Sequence, residues 1–559
     1  MTDQNDARSR RNVPIWALTV IAIAAAAIGF LLAMIIGNIG VAKGQSASQY
    51  TQVVELKQDT YDPAVWGQNF PAQYKGWQDT AIYKTSDHKP NALIPWNAKT
   101  DDDIESNDIK DTRTAVTSSK IQEDDRVKRL WKGFAFAMDY RHARGHMYML
   151  EDQMMTLRVL DKDQPGACIH CHASTVQMWT EVGDAGEGAS FNEKMQAGFE
   201  ALNAIPYDCE AAGVPATREA KGDDTYCADI EQDMESIVKA HSVDQVNGDP
   251  IGCIDCHDPA TMKLRISRPG LINGMAALKE GQGITGYDVN KDATNQELRA
   301  LVCAQCHIEY YFGGPNKDVI FPWGEGSVDI DATYDYYQTE RFTSFGADGK
   351  AGTEKQVFSD YWTPDAKVGM LKVQHPEYEV WSSSIHAANG VTCADCHMAY
   401  KRDGAQKVSN HDVQNPLTDI NASCGTCHAA SEQILQDRVR TINNRFKTSR
   451  DAGLDSEMVL LEMLTAVQAE DSTLSVKPET LAAVKALYRK AGYYIDYAYS
   501  ENSYGFHNPD YMQRVIAQSI DASRQGQVML AAEGVPVPDL GPSAKTLENR
   551  EHIESSGLK

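Results

Sequence analysis

Ten of the 12 Cys stand in five copies of one pattern, C-x-x-C-H. The copies are Cys168-Ile-His-Cys171-His172, Cys253-Ile-Asp-Cys256-His257, Cys303-Ala-Gln-Cys306-His307, Cys393-Ala-Asp-Cys396-His397 and Cys424-Gly-Thr-Cys427-His428. At this composition about 0.007 copies would arise by chance, so five reflect a shared chemical requirement. Two thiols three residues apart can bond the two vinyl-derived carbons of haem, and the adjacent imidazole then reaches the iron as proximal ligand. Zinc knuckles and structural disulfides do not require a His directly after every second Cys. The pattern predicts five covalently bound haem c groups.

An iron with one His accepts a second ligand, and whether it has one separates an electron carrier from a catalyst. Beyond the five proximal residues the chain has His88, His142, His146, His170, His241, His375, His386, His411, His507 and His552. This exceeds the four or five distal ligands needed, so the count leaves open whether one iron stays accessible. His170, inside the first motif, reads as a spacer facing away from the iron.

Five haem motifs, the run Cys303-Ala-Gln-Cys306-His307-Ile-Glu309-Tyr310-Tyr311-Phe312 and the run Met370-Leu-Lys372-Val-Gln374-His375-Pro-Glu-Tyr together resemble pentahaem cytochrome c nitrite reductase, the ammonia-forming enzyme. Phe70-Pro-Ala-Gln-Tyr-Lys-Gly-Trp77, Arg144-Gly-His146-Met-Tyr and Thr156-Leu-Arg158 extend the resemblance over about residues 60 to 520. It implies His411 as distal ligand of the second haem, His146 of the third, His507 of the fourth and His386 of the fifth. The first haem would keep its distal face open beneath Arg158, Tyr310 and His375. It also implies one Ca²⁺ held by Glu309, Tyr310, Lys372 and Gln374, the Tyr and Lys partly through backbone carbonyls. One departure is that His172 stands where most of the family has Lys, which should shift the iron's potential and its affinity for substrate.

The implied reaction is the six-electron reduction of nitrite to ammonium, with hydroxylamine, nitric oxide or sulfite as further substrates. Arg158, Lys372, His375 and Ca²⁺ would draw the anion into an otherwise acidic protein. A quinol-oxidising tetrahaem cytochrome in the membrane is the implied electron donor, and the family's long C-terminal helices imply a homodimer. The competing reading is an electron-transfer cytochrome with every iron bis-His, His142 or His88 closing the first. Glu309-Tyr310 and Lys372-Val-Gln374-His375 speak against it, because a wire needs no anion site.

The elements that must position these residues follow from the rest of the chain. Over 559 residues, 53 Lys and Arg against 78 Asp and Glu give a net charge of −25, which excludes general nucleic-acid binding. A hydrophobic share of 42% and a mean hydropathy of −0.44 exclude a multi-spanning membrane protein. One segment stands apart. Residues 12–42 carry no charge, and 15–36 are 22 almost entirely apolar residues, long enough for a membrane-spanning helix. Arg8, Arg10 and Arg11 precede it, so residues 1–14 are expected in the cytoplasm, 15–42 as anchor and the remainder on the outer face of the cytoplasmic membrane, in the periplasm. A signal cleaved near Gly40 and Ala42, leaving a soluble protein, is the alternative.

The expected fold is mostly α: a compact multihaem c-type cytochrome with long C-terminal helices and the N-terminal transmembrane helix. Residues 43–430 form the pentahaem region, of which 43–130 read as an extended wrapping segment. An acidic insert near 182–250 carries Cys209 and Cys227, the two remaining thiols. Outside the reducing cytoplasm these should pair, and closing a loop of 18 residues would contribute about 3 kcal/mol. Residues 431–535 carry apolar positions at helical spacing, Ile434 to Phe446, Met458 to Val467 and Leu481 to Ile495 after a start at Pro478, and 536–559 a polar tail.

Overall fold

The computed structural model describes residues 52–81, 93–95, 115–117, 119–142, 145–154, 169–174, 250–313, 318–339 and 357–558, with isolated positions at 20, 27–29, 156, 194, 197 and 342. The expected anchor, the insert and both of its Cys lie outside the described residues apart from scattered positions. Among the described residues no helix is long and apolar enough to cross a membrane. The chain divides into two compact units, residues 1–55 with 68–70 and residues 56–67 with 71–559. In the first, the Asn69 side chain accepts from Val53 N at 2.7 Å and donates to Val54 O at 2.9 Å. Every site residue discussed below belongs to the second.

Helices dominate the second unit. Four of them, Glu432–Gln468, Pro478–Ser500, Pro509–Ala532 and Ala544–Ser556, make its C-terminal part. Local chemistry sets their ends. Ser431, Asn508 and Ser543 each accept a backbone N–H of the first turn, and Pro478 and Pro509 stand where a missing N–H costs nothing. The last helix stops at Gly557, whose φ of +68° suits a residue without Cβ. Their inner faces bury Leu460, Leu464, Val484, Tyr488, Ile495 and Ile516, none more than 1% exposed. Gly453 and Gly526 let the helices approach closely: a Cβ on either would lie 2.6 Å from Ile495 Cδ1 or 2.9 Å from Leu460 Cδ1.

The helix Glu432–Gln468 is continuous for 37 residues, although its apolar pattern lapses in the middle. The lapse is a contact. Asp451, 2% exposed, and Asp455 accept from Arg126, as does Asp124, at 3.2, 2.7 and 2.7 Å respectively. Thr546 and Asn549 of the last helix bond the same two carboxylates, each at 2.8 Å, so the expected polar tail is folded into this network.

Residues 43–130 differ from the extended segment expected. Helices run Pro63–Asn69, Pro71–Gln78, Lys120–Glu123 and Asp125–Leu130. The two prolines are helix starts rather than breakers, and Asp124 caps Arg126 N. A second, smaller core packs the helices Pro269–Gly281 and Asn295–Ala304 through Leu271, Leu301, Phe321 and Trp323. Among the described residues β-structure is limited to four two-stranded antiparallel ribbons. Two of them, Tyr311–Gly313 with Asp318–Ile320 and Tyr361–Thr363 with Val368–Met370, flank the candidate site.

Arg126→Met leaves three carboxylates clustered without their cation, so the folded protein should lose about 3–5 kcal/mol. Denaturant unfolding of the haem-loaded protein measures this, and a loss below about 1 kcal/mol would show that the network adds little stability.

Candidate functional site

The second, third and fifth motifs are closed helical turns, and the fourth is the helix Cys393–His397. His257 N donates to Cys253 O at 2.9 Å, His307 N to Cys303 O at 3.0 Å and His428 N to Cys424 O at 2.9 Å. Such a turn puts the two thiols and the following His on one face. The residues between the thiols hold the turns in place. Asp255 accepts from Gly252 N at 2.8 Å, and Asp395 accepts from Thr392 N at 2.8 Å and Thr392 Oγ1 at 2.7 Å, which caps both turns.

One side chain joins the first three motifs. Arg268, 1% exposed, donates to His170 O and Ala173 O at 3.1 Å each and pairs with Asp255 at 2.6 Å, while its own N–H donates to Gln305 Oε1 at 3.0 Å. The His170 ring is buried against Gly270, where a Cβ would lie 3.3 Å from it. The thiols report the same adjacency: Cys306 hydrogen-bonds Cys171, Cys303 bonds Cys393, and Cys396 lies beside Cys424 and Cys427. The third motif is therefore the hub, touching the first, second and fourth, and the fifth joins through the fourth.

Three of the expected axial pairs face one another. Ring centroids are 6.3 Å apart for His257 and His411, 6.2 Å for His397 and His507, and 6.3 Å for His386 and His428. Two imidazoles bonded to one transition metal at about 2 Å each require a centroid separation of roughly 6 Å, so each gap fits one iron. Burial lowers the His397 and His411 pKa values to about 4, which keeps the rings neutral with a lone pair for metal.

The third motif is less simple. His375 lies 6.3 Å from His307, while His146, buried and lowered to about 4, also senses the His307 charge. Spacing alone thus leaves that iron two candidate partners. Their surroundings differ. Among the described residues His307 is the charged neighbour acting on His146, whereas His375 lies among Glu377, His307, Lys120 and His172. Burial chiefly lowers His375 to about 3, and its Nδ1 is buried without a protein partner. His172 Nδ1 bonds Met149 O at 3.0 Å, which fixes the ring that would face the first iron. His142, offered as a lid for that iron, instead contacts Glu123 at 3.1 Å. Arg158, Cys168 and His88 lie outside the described residues.

Glu309, Lys372 and Gln374 come together as expected. Glu309 accepts from Gln374 N at 2.7 Å and Tyr337 OH at 3.1 Å, and Gln374 Nε2 donates to Lys372 O at 3.4 Å. Tyr310 follows Glu309 directly and packs against Phe312 at 5.5 Å. The expectation that Lys372 attracts anions is corrected. Its Nζ is buried and bound to Asp496 at 2.9 and 3.0 Å and Ser500 at 3.0 Å, so its charge is already neutralised. Sequence reasoning also missed two carboxyls beside Glu309. Glu379 accepts from Glu309 N at 3.0 Å and Asp360 from Lys372 N at 2.8 Å. Burial raises Glu309 well above the usual range, Glu379 to about 8 and Asp360 to about 7. Glu379 stands two residues beyond the quoted run's Glu377, and only its apolar neighbours hinted that it is internal.

A model of the cytochrome c552 family matches residues 62–205 and 191–558. The chain belongs to this family. It is 31% identical to cytochrome c-552 of Bacteroides fragilis over 94% of this chain and 89% of that protein. It is 32% identical to the cytochrome c nitrite reductase subunit NrfA of Nitratidesulfovibrio vulgaris over 75% and 72% of the two chains. The solved cytochrome c nitrite reductase of Desulfovibrio desulfuricans, a catalytic subunit with two calcium sites, superposes with a TM-score of 0.62 at 25% identity, covering 86% of this chain and 88% of that one. The resemblance drawn from the motifs is borne out.

Substituting the two candidates separately assigns the third iron. His146→Ala should convert one low-spin haem into a high-spin haem that binds an added ligand, and His375→Ala should leave the low-spin count unchanged, as read by electron paramagnetic resonance. The reverse pattern would make His375 the ligand.

Proposed function

We propose that this chain reduces nitrite to ammonium at the haem held by Cys168, Cys171 and His172, with four bis-His haems supplying electrons through the third motif. The nitrite reductases among its relatives support this class of oxidoreductase. The observation that carries the reading is His375. It lies within electrostatic reach of His172 with a buried, unpartnered Nδ1, while His257, His397 and His428 each have a second imidazole opposite. Leaving such a nitrogen unsatisfied costs about 1–3 kcal/mol, which a hydrogen-bonding ligand would offset.

Nitrite nitrogen is +3 and ammonium nitrogen −3, so six electrons and a matching supply of protons must reach one small anion. Haem, when bound, supplies an iron with a free axial position and a path for electrons. The protein's own residues hold the anion and move protons. Arg158 clamps it with paired N–H donors. His375, neutral because it is buried, offers an N–H to the substrate oxygens and relays protons to them as they leave. Tyr310 adds a hydroxyl donor at the rim. His172 replaces the more usual Lys, and its bond to Met149 O strengthens it as a donor to the iron.

One Ca²⁺ fits beside this group. Glu309, the Gln374 side chain and the carbonyls of Tyr310 and Lys372 make an all-oxygen set, the ligand type this ion takes. The charge balance supports it, since Glu309 and Glu379 are buried, Asp360 accepts from Lys372 N beside them, and Lys372 Nζ is committed to Asp496. Their raised pKa values mark negative charge that the surroundings disfavour and that a bound cation would offset. Such an ion would fix the carbonyl of Tyr310 and hence its ring.

Around this centre we read residues 15–42 as a membrane anchor that leaves the rest of the chain on the periplasmic side, a quinol-oxidising haem protein as electron donor, and the C-terminal helices within residues 431–535 as the homodimer interface.

His375→Asn and Arg158→Gln should each reduce ammonium production from nitrite, driven by a reduced viologen, by roughly 10²- to 10⁴-fold with five haems still attached. His172→Lys should retain activity. Wild-type turnover in both of the first two variants would contradict the assignment.

A further inference from the structure

A ligating imidazole has a second nitrogen, and its partner sets how strongly the ring donates to the metal. Four ligand rings bond main-chain carbonyls through Nδ1: His172 to Met149 at 3.0 Å, His257 to Met262 at 3.0 Å, His397 to Gln414 at 2.9 Å and His411 to Ser409 at 2.9 Å. His507 differs. Its Nδ1 bonds the Glu501 carboxylate at 2.7 Å.

Glu501 is built for that task. It ends the helix Pro478–Ser500 as its C-terminal cap and is 2% exposed. Oε1 also accepts from Ser503 N at 3.1 Å, and Oε2 accepts from Ser503 Oγ at 2.8 Å and Gly505 N at 3.3 Å. With four donors aimed at two oxygens, the group is an acceptor only, which is the carboxylate form. The loop's shape is constrained as well, because Gly505 has φ +80° and a Cβ there would lie 2.7 Å from the Phe446 ring. The next residue, Asn502, donates to Glu377 at 3.2 and 2.5 Å, and Glu377 stands 3.7 Å from His307 Nδ1. One loop, 501–507, thus serves the ligands of two adjacent motifs.

We propose that Glu501 is a positioning residue that lowers the potential of the haem held between His397 and His507 below the value a carbonyl partner on His507 would give. The inference rests on the haem reading of the motifs. A carboxylate on Nδ1 draws the proton outward and makes the imidazole a stronger donor, which stabilises the ferric over the ferrous iron. The effect is confined to the iron's affinity for one electron: no bond forms or breaks, and the proton stays in the His507–Glu501 hydrogen bond.

The test is an optical redox titration of the full pentahaem protein without nitrite. Glu501→Gln keeps an acceptor but removes the charge, so one of five midpoint potentials should become more positive while haem content and the other four hold. Ser503→Ala removes a donor to the carboxylate together with the acceptor of His507 N, and the less solvated carboxylate is a stronger acceptor for His507 Nδ1, so the same potential should become more negative. Unchanged potentials in both variants, or shifts of the same sign, would overturn the proposal. If Glu501→Gln fails to assemble, the sign of the Ser503→Ala shift decides. Because the titration needs no turnover, a protein that reduces no nitrite but shows the paired shifts would refute the nitrite reading and leave this one standing.

Discussion

The arrangement depends on Arg268. Its guanidinium binds one carbonyl within the first motif, the carbonyl just after it and the carboxylate inside the second, and its backbone is bonded by a side chain of the third. A fully buried guanidinium is tolerable because four of its five N–H groups meet acceptors and Asp255 matches its charge. That requirement fixes how three C-x-x-C-H turns sit relative to one another. Once they are fixed, the third motif lies beside both the first and the second.

Around this frame the polypeptide holds gaps sized for metal. Three imidazole pairs stand 6.2 to 6.3 Å apart, and His397 and His411 are lowered toward the neutral state in which a ring can bind iron. Beside the first motif the pattern changes. His375 has a buried nitrogen without a partner, and three carboxyls crowd together with their nearest Lys already paired. The same low-dielectric interior makes both features costly in isolation and useful for binding an anion next to a cation.

The haem motifs were legible because they rest on residue type at fixed spacing, whereas the three facing His pairs and the grouping of Glu309, Lys372 and Gln374 followed only from the family resemblance. The long C-terminal helices were legible from apolar periodicity, but their continuity was not. Asp451 and Asp455 look like a break in the pattern until Arg126, more than 300 residues earlier, is seen to bond them. Pro63 and Pro71 start helices in a segment expected to be extended. Arg268, Glu379, Asp360 and Glu501 could not be read in advance, since an isolated charge in a sequence is usually solvated. Only tertiary contact reveals that these are buried and which partner each one meets. Lys372 was misjudged for the same reason.

The central claim is that one iron of five is left open by the protein, the one on His172. The most direct measurement is the spin state and axial ligation of the oxidised pentahaem protein, by electron paramagnetic resonance with near-infrared magnetic circular dichroism. The account predicts four low-spin bis-His haems and one high-spin haem that binds a single cyanide per chain. Five low-spin bis-His haems with no cyanide binding would contradict it and identify the chain as an electron carrier.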